Sequence, residues 1–441
     1  MESLRAAPLP VSTGSARSWA GLSVRVSGFF GGEVRHGLLH YAQLMAGTLG
    51  RLVLQAGYFF LLVNALSLSG MGAFASASAV GLMLASFSGL GFGALAFRAA
   101  AGKKRLLGSY LAMTYVCMAI ALPLGLVIAL PIYWLVFSAV ISLPAFLGII
   151  AVEIFGWRLV ELLQQINSGL GRFAAASLVI TLGGLARTIA AAAFVLWHDG
   201  DVEQWAAYYV IANFAAAIVL WFVYRPRVAL RWNMRLFRAR LGGSIAFALS
   251  YFSFSAQSQL DKLIVLSLTN PTLAGIYAIA TRIIDFTTVP FRSFYVLYCR
   301  KLIAEVRPRN LIRRGLQVEA VIAVASTLGF AVLISILWLW PNLLGAHVAE
   351  AAPFFALLLT VPAFKNLLEF HGELFFVTDR MTSRAFVAFG LIALNAGALA
   401  LLLTNTHTLL QLGLWLNAVY AVLYLLSAAA VYRFVTGKTR A

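Results

Sequence analysis

The sequence predicts an all-α, polytopic integral membrane protein with about 12 transmembrane helices, on three observations. Of 441 residues, 62% are hydrophobic and 11% charged, where ordinary soluble domains carry roughly 25% charge. A mean hydropathy of +0.90 leaves too little polar surface to face water, so the solvent is lipid. Apolar stretches of about 20 residues, the length needed to cross a bilayer, recur along the chain. Finally, the loops alternate in charge: every second one carries Arg or Lys, and those between carry none. Cationic loops stay on the cytoplasmic side, so the alternation places both termini inside.

The elements follow in order. Residues 1–37 are polar and hold Pro8, Pro10 and a Ser/Gly/Arg mixture. They lack an apolar core followed by a small-residue cleavage site, so they read as a cytoplasmic tail rather than a signal peptide. An N-terminal half, 38–224, holds spans at 41–66, 71–97, 107–130, 132–156, 174–197 and 204–224. Its inner loops carry Arg98, Lys103, Lys104 and Arg105, then Arg158 and Arg172; the outer loop Asp199–Gly200–Asp201–Val202–Glu203 is acidic. A basic linker follows at 225–241. The C-terminal half, 242–441, holds spans at 243–268, 273–299, 316–340, 352–376, 384–403 and 409–432. Hydropathy defines the junctions near Pro131 and Pro271 least sharply. The outer loops are too short to fold into a domain.

The halves repeat. Leu66–Ser67–Leu68–Ser69 recurs as Leu266–Ser267–Leu268–Thr269, and Gly72–Ala73–Phe74–Ala75 as Gly275–Ile276–Tyr277–Ala278. Both copies occupy the turn between the first and second spans of a six-span half, which predicts two parallel six-helix lobes. In span two, Gly89 and Gly93 form a small-xxx-small pair expected to pack tightly against a neighbouring helix.

Of 33 Lys and Arg, six fall inside predicted spans: Arg51, Arg187, Lys262, Arg282, Arg292 and Lys365. Each costs roughly 2.5–3.5 kcal/mol at a lipid-exposed midplane, so six together exceed a typical folding stability of about 5–15 kcal/mol. Most must therefore face water or a partner. The intramembrane acids are Asp261, Asp285 and Glu369, with Glu153 nearer the inner boundary. Lys365 and Glu369 stand four apart, hence on one helix face. Arg282, Asp285 and Arg292 cluster on a helical wheel, and Arg51, Gln55 and Tyr58 share a face. The six cations are candidate substrate-binding residues, and Asp261, Asp285 and Glu369 candidate coupling acids. Their positive surplus suits an anion such as a phosphate or uronic acid. The alternative for individual residues is a structural ion pair, and for Lys262 and Arg292 a side chain that snorkels to an interface.

Other chemistries find no support. There is no His-Glu-x-x-His, Walker loop or Gly-x-Ser-x-Gly, so no enzyme and no nucleotide or metal cofactor is expected. Uphill transport would then draw on an H+ or Na+ gradient or the membrane potential. Cys117 and Cys299 have no metal-ligand spacing. The six histidines are scattered, with interface or packing roles expected. A net charge of +18 would suggest nucleic acid in a soluble protein, but here the cations sit in membrane loops.

The run Gln259-Leu-Asp261-Lys262 followed by Asn270-Pro271-Thr-Leu-Ala-Gly275-Ile-Tyr277-Ala-Ile-Ala-Thr-Arg282 resembles the seventh-to-eighth span region of Wzx-type polysaccharide flippases. Gly72-Ala-Phe74-Ala resembles their first-to-second span region. These flippases belong to the multidrug/oligosaccharidyl-lipid/polysaccharide (MOP) exporter superfamily. The resemblance implies two lobes around a central cavity lined by spans one, two, seven and eight, where Arg51, Asp261, Lys262, Arg282 and Asp285 lie. It also implies an undecaprenyl-pyrophosphate-linked oligosaccharide substrate, flipped for O-antigen or exopolysaccharide assembly alongside a polysaccharide polymerase. The runners-up are a drug or ion antiporter or a lipid II flippase of the same superfamily. From a different class, a membrane polysaccharide polymerase or ligase would need a larger outer loop bearing Arg or His.

Overall fold

The structure, a computed structural model, describes residues 50, 52–197, 200–305, 308–377, 381–405 and 408–436. Among these, every regular element is helical, since a chain inside a bilayer must satisfy its backbone polar groups internally. The helices group into twelve crossing units. They are α1 (Leu52–Ala65), α2 (α2a Leu68–Ala85, α2b Phe92–Gly102), α3 (Leu107–Ile132, continuing to Phe137), α4 (α4a Leu143–Ala151, α4b Arg158–Gly169), α5 (Phe173–Trp197) and α6 (Val202–Tyr224). The second half holds α7 (Met234–Leu268), α8 (Pro271–Glu305), α9 (Pro308–Leu339), α10 (α10a Ala346–Leu357, α10b Val361–Val377), α11 (Met381–Asn405) and α12 (Leu409–Thr436). The protein is thus a multi-pass membrane protein of the predicted class.

Outer faces are apolar. On α9, Val321, Val324, Leu328 and Val332 form an exposed stripe at helical spacing, as a lipid-facing surface requires. Among the described residues, seven helices are long and apolar enough to cross alone, and bent α10 makes an eighth. Neither α7 nor α8 is among them; they carry Asp261, Lys262, Arg282 and Asp285.

Sequence and structure part at the helix breaks. In α2, Gly89, Leu90 and Gly91 have φ of 72°, 45° and 76°, so the helix stops and restarts. Gly89 and Gly93 therefore do not share one continuous helix face. A Cβ on Gly91 would collide with the Ser244 carbonyl oxygen of α7, so the break lets two backbones meet. Helix α3 runs through Pro131 and ends in a π-turn, with Ser138 N donating to Tyr133 O at 3.0 Å. The junction falls at 138–142, not at Pro131: the helix carries Pro123 and Pro131 within it, as membrane helices tolerate, and breaks only after the π-turn. A second π-turn, Val152–Trp157, joins the parts of α4. Arg158, read from the sequence as a loop residue, starts α4b, pairs with Glu161 at 2.8 Å and stacks 4.4 Å from the Tyr251 ring centroid. The linker too is shorter than 225–241, because α7 begins at Met234 with Asn233 capping it through Leu236 N.

Buried apolar side chains form one large cluster at the helix ends that loop charge predicts to be outer, drawing on both halves: Phe59, Phe74 and Trp205 from the first, Tyr277, Phe330 and Phe355 from the second. At the inner ends the core divides. One cluster, around Phe92, Leu163 and Ile180, belongs to the first half; the other, around Ile322 and Phe370, belongs to the second. The lobes share one core at the outer end; at the inner end they keep separate cores but still touch through α7, where Gly91 meets Ser244 and Phe92 stacks on Phe237. The outer closure is close-packed. A Cβ on Gly72 would collide with Pro271 O, and one on Gly275 with Leu68 O, so the two copies of the repeated turn meet face to face. Asn64 Nδ2 also donates to Leu344 O at 3.0 Å, between α1 and the α9–α10 turn.

Candidate functional site

Charged side chains gather where the shared outer core gives way to the two inner ones. In the second lobe, Lys365 Nζ of α10b reaches Asp285 Oδ1 of α8 at 2.9 Å. The Asp285 side chain is nonetheless 33% exposed, midway along its helix. On α7, Lys262 Nζ donates to Gln259 Oε1 at 2.7 Å and Ser258 O at 3.3 Å, both neutral acceptors. Asp261, beside it, points away and accepts from Tyr277 Oη at 2.8 Å.

In the first lobe the acid is Glu153, in the α4 π-turn. It accepts from Tyr209 Oη at 2.5 Å and Ser78 Oγ at 2.8 Å. Arg187 of α5 donates to Asn213 Oδ1 at 2.6 Å, and its guanidinium lies 3.8 Å from the Trp157 ring centroid. Its Nη2 stands 3.9 Å from Glu153 Oε2, and both atoms are buried without a hydrogen-bond partner. Their attraction is electrostatic, reinforced by the aromatic face.

Arg282 of α8 connects the two groups. Its guanidinium lies 5.7 Å from the Phe286 ring centroid, and Phe286 packs on Phe59 and Phe60 of α1. Arg282 is within electrostatic reach of Tyr58, which also feels Arg187 and Glu153; on its other side it reaches Lys262 and Asp285. Glu153, Arg187, Arg282, Asp285, Lys262 and Lys365 thus form one ladder across both lobes. Among the described residues, neither Lys262 nor Arg282 makes a direct ion pair.

The structure therefore brings Arg187, Lys262, Arg282, Lys365, Asp261 and Asp285 into one region. Arg51 lies outside the described residues, as does the 1–37 tail, and so does the side chain of Arg292, whose backbone belongs to α8. Glu369 stands one turn beyond Lys365 on α10b. Lys365 itself takes Asp285 across the helix interface.

Sequence reasoning missed a second polar cluster. Glu319 of α9 is buried; it lies 3.1 Å from His371 Nε2, accepts from Tyr424 Oη at 2.6 Å, and is contacted by Tyr432 Oη. His371 Nδ1 lies 2.9 Å from Ser427 Oγ. This histidine is neither at a helix end nor a simple packing residue, as the sequence led one to expect; it is the centre of a hydrogen-bonded network. The available signal was Glu319 itself, an acid inside an apolar span.

In backbone shape the chain resembles solved membrane transporters. The inward-facing conformation of a multidrug resistance MATE family transporter of the MOP superfamily superposes with a TM-score of 0.62 at 14% identity, covering 89% of this chain and 96% of that one. Its outward-facing counterpart gives 0.57 at 13% identity over 90% and 96%. The MATE multidrug transporter DinF-BH gives 0.63 at 12% identity over 90% and 96%. No protein-family model and no curated protein matches the sequence. The chain shares its all-helical fold, with about twelve helices, with these MATE transporters.

Proposed function

We propose that the protein moves undecaprenyl-pyrophosphate-linked oligosaccharide repeat units across the cytoplasmic membrane, with both termini in the cytoplasm. One observation carries this reading: a charge ladder between the lobes that includes two cations, Lys262 and Arg282, with no carboxylate at ion-pair distance among the described residues. Two such cations are the complement of a pyrophosphate. Transferring sugars and pyrophosphate through hydrocarbon costs several kcal/mol per polar group, roughly, unless a polar surface replaces their water. The ladder supplies that surface while the polyprenyl tail stays in lipid. Rocking of the lobes then exposes the site to the other side, with Asp261, Asp285 or Glu369 as coupling groups for H+ or Na+.

The test uses purified protein in vesicles containing a fluorescent lipid-linked oligosaccharide. Movement between leaflets without ATP is expected; Arg282→Ala should abolish it and Arg282→Lys restore part, since Lys keeps the charge without the planar fork. Elongation of the glycan in the same vesicles would make the protein a polymerase and overturn the reading. A second reading, export of organic cations, draws on the multidrug transporters that share the fold. Efflux of a cationic dye that survives Arg282→Ala would favour it. For orientation, cysteines placed at Asp201 and Asn405 should react with an impermeant external reagent, and one at Arg235 should not.

A further inference from the structure

The linker between the lobes folds into a structured strap. It leaves α6 at Arg225 and passes beneath the start of α3, where a Cβ on Gly108 would collide with Ala229 O. It is then held by Trp232 stacking on Phe237, which stacks on Phe92 of α2b. Between the strap and the ends of α3 and α6 lies a cavity of about 290 Å³. Its lining includes Arg225, Arg227, Trp221, Tyr115, Leu111 and Leu230.

The cavity has two kinds of wall. Arg225 is fixed over the Trp221 ring, with its guanidinium carbon 4.3 Å from the centroid, and so presents its donor edge in a set orientation. Tyr115 lines the same wall as Trp221 and Arg225. Arg227 adds a second positive charge. The other wall is apolar, from Leu111 and Leu230. Leu230 is 52% exposed, and Phe222, next to Trp221 and 5.7 Å below the Arg225 guanidinium, is 64% exposed, so hydrocarbon can leave the cavity along them. A ligand seated here meets two guanidinium groups at one end and hydrocarbon at the other.

We propose that this cavity binds the headgroup of an anionic phospholipid, with the phosphate on Arg225 and Arg227 and the acyl chains leaving along Leu230 and Phe222. Basic pockets at the ends of membrane helices, on the side where positive loops gather, hold acidic headgroups in this way. The site is separate from the ladder between the lobes and does not depend on what the protein transports. A headgroup there would tie the strap to the first lobe, since the strap supplies Arg227 and α6 supplies the Trp221 platform.

The test is native mass spectrometry of the full-length protein in detergent, titrated separately with phosphatidylglycerol, phosphatidylcholine and inorganic phosphate. Phosphatidylglycerol should remain bound. The double variant Arg225→Gln/Arg227→Gln should weaken it by about tenfold or more, each charge near the surface being worth roughly a factor of five. The triple variant Arg235→Gln/Arg238→Gln/Arg240→Gln, which removes exposed charges elsewhere on the same segment, should keep wild-type binding. Should the Gln double variant fail to fold, Arg225→Lys/Arg227→Lys serves, with a smaller but measurable loss from the missing fork. Equal retention of phosphatidylcholine, equally tight binding of inorganic phosphate alone, wild-type binding by the Lys or Gln double variant, or equal loss in the triple variant would each overturn the proposal.

Discussion

The two lobes arise from repeats of one plan, yet they treat their charges differently. In the first, Glu153 is 3% exposed and hydrogen-bonded by Tyr209 and Ser78, with Arg187 held beside it by Trp157 and Asn213. In the second, Asp285 meets Lys365 but remains 33% exposed. The fourth helix of each lobe is irregular and carries a key charge near the irregularity. In α4 it is the acid Glu153, in a π-turn; in α10 it is the base Lys365, just past a 73° bend. Symmetry thus fixes where charge is placed but not its sign or its access to water. A sealed pair is built to stay; an open pair can exchange partners with a ligand.

The comparison can be broken first at the sealed pair. Glu153→Leu strands Arg187 as an uncompensated buried charge and should cost about 3–5 kcal/mol. The expected outcome is a sharp fall in melting temperature or loss of monodisperse protein. Asp285→Asn, at the open pair, should cost less, about 2–3 kcal/mol, because the Asn carbonyl can still accept a hydrogen bond from Lys365, which is itself only 17% exposed. Its main effect should fall on transport in the vesicle assay. Equal destabilisation by the two substitutions would remove the distinction between the lobes.

The outer closure comes next in size. Gly275→Leu cannot fit beside Leu68 O and should shift the population toward an outward-open form. Spin labels at Asp201 and Asn342 should then give longer distances. An unchanged distribution would show that the paired glycines do not hold that end shut. The smallest effect expected is that of Tyr277→Phe, which copies into the second lobe the residue that the first has at Phe74. It removes one hydrogen bond to buried Asp261 and should cost about 1–2 kcal/mol, measured by thermal unfolding in detergent. A neutral result would mean that Asp261 is satisfied without Tyr277.

The sequence was most legible where one strong physical rule governed it. Span count follows from apolar length, and the repeated turn at Gly72 and Gly275 was visible as letters before it proved to be a contact. Helix breaks were not legible, because a bilayer-spanning stretch stays apolar whether or not its backbone is continuous; Gly89–Gly91 and Pro131 illustrate both outcomes. Partners were read only within a helix. A wheel can pair Lys365 with Glu369, but it cannot see Asp285, eighty residues away. Glu319 was passed over because its partners His371, Tyr424 and Tyr432 come from two other helices.

The interruption of α2 has a mechanical meaning. A straight helix transmits rotation along its length like a rigid lever, so motion at one end demands motion at the other. Here the outer segment is clasped to α8 at Gly72 and Gly275, while the inner one lies against α4b, where a Cβ on Gly169 would come 2.9 Å from Ala100 Cβ. Residues 86–91 act between them as an articulated joint, in a backbone conformation that two glycines make accessible. At the joint itself Gly91 and Phe92 meet Ser244 and Phe237 of α7, so bending there engages the opposite lobe as well.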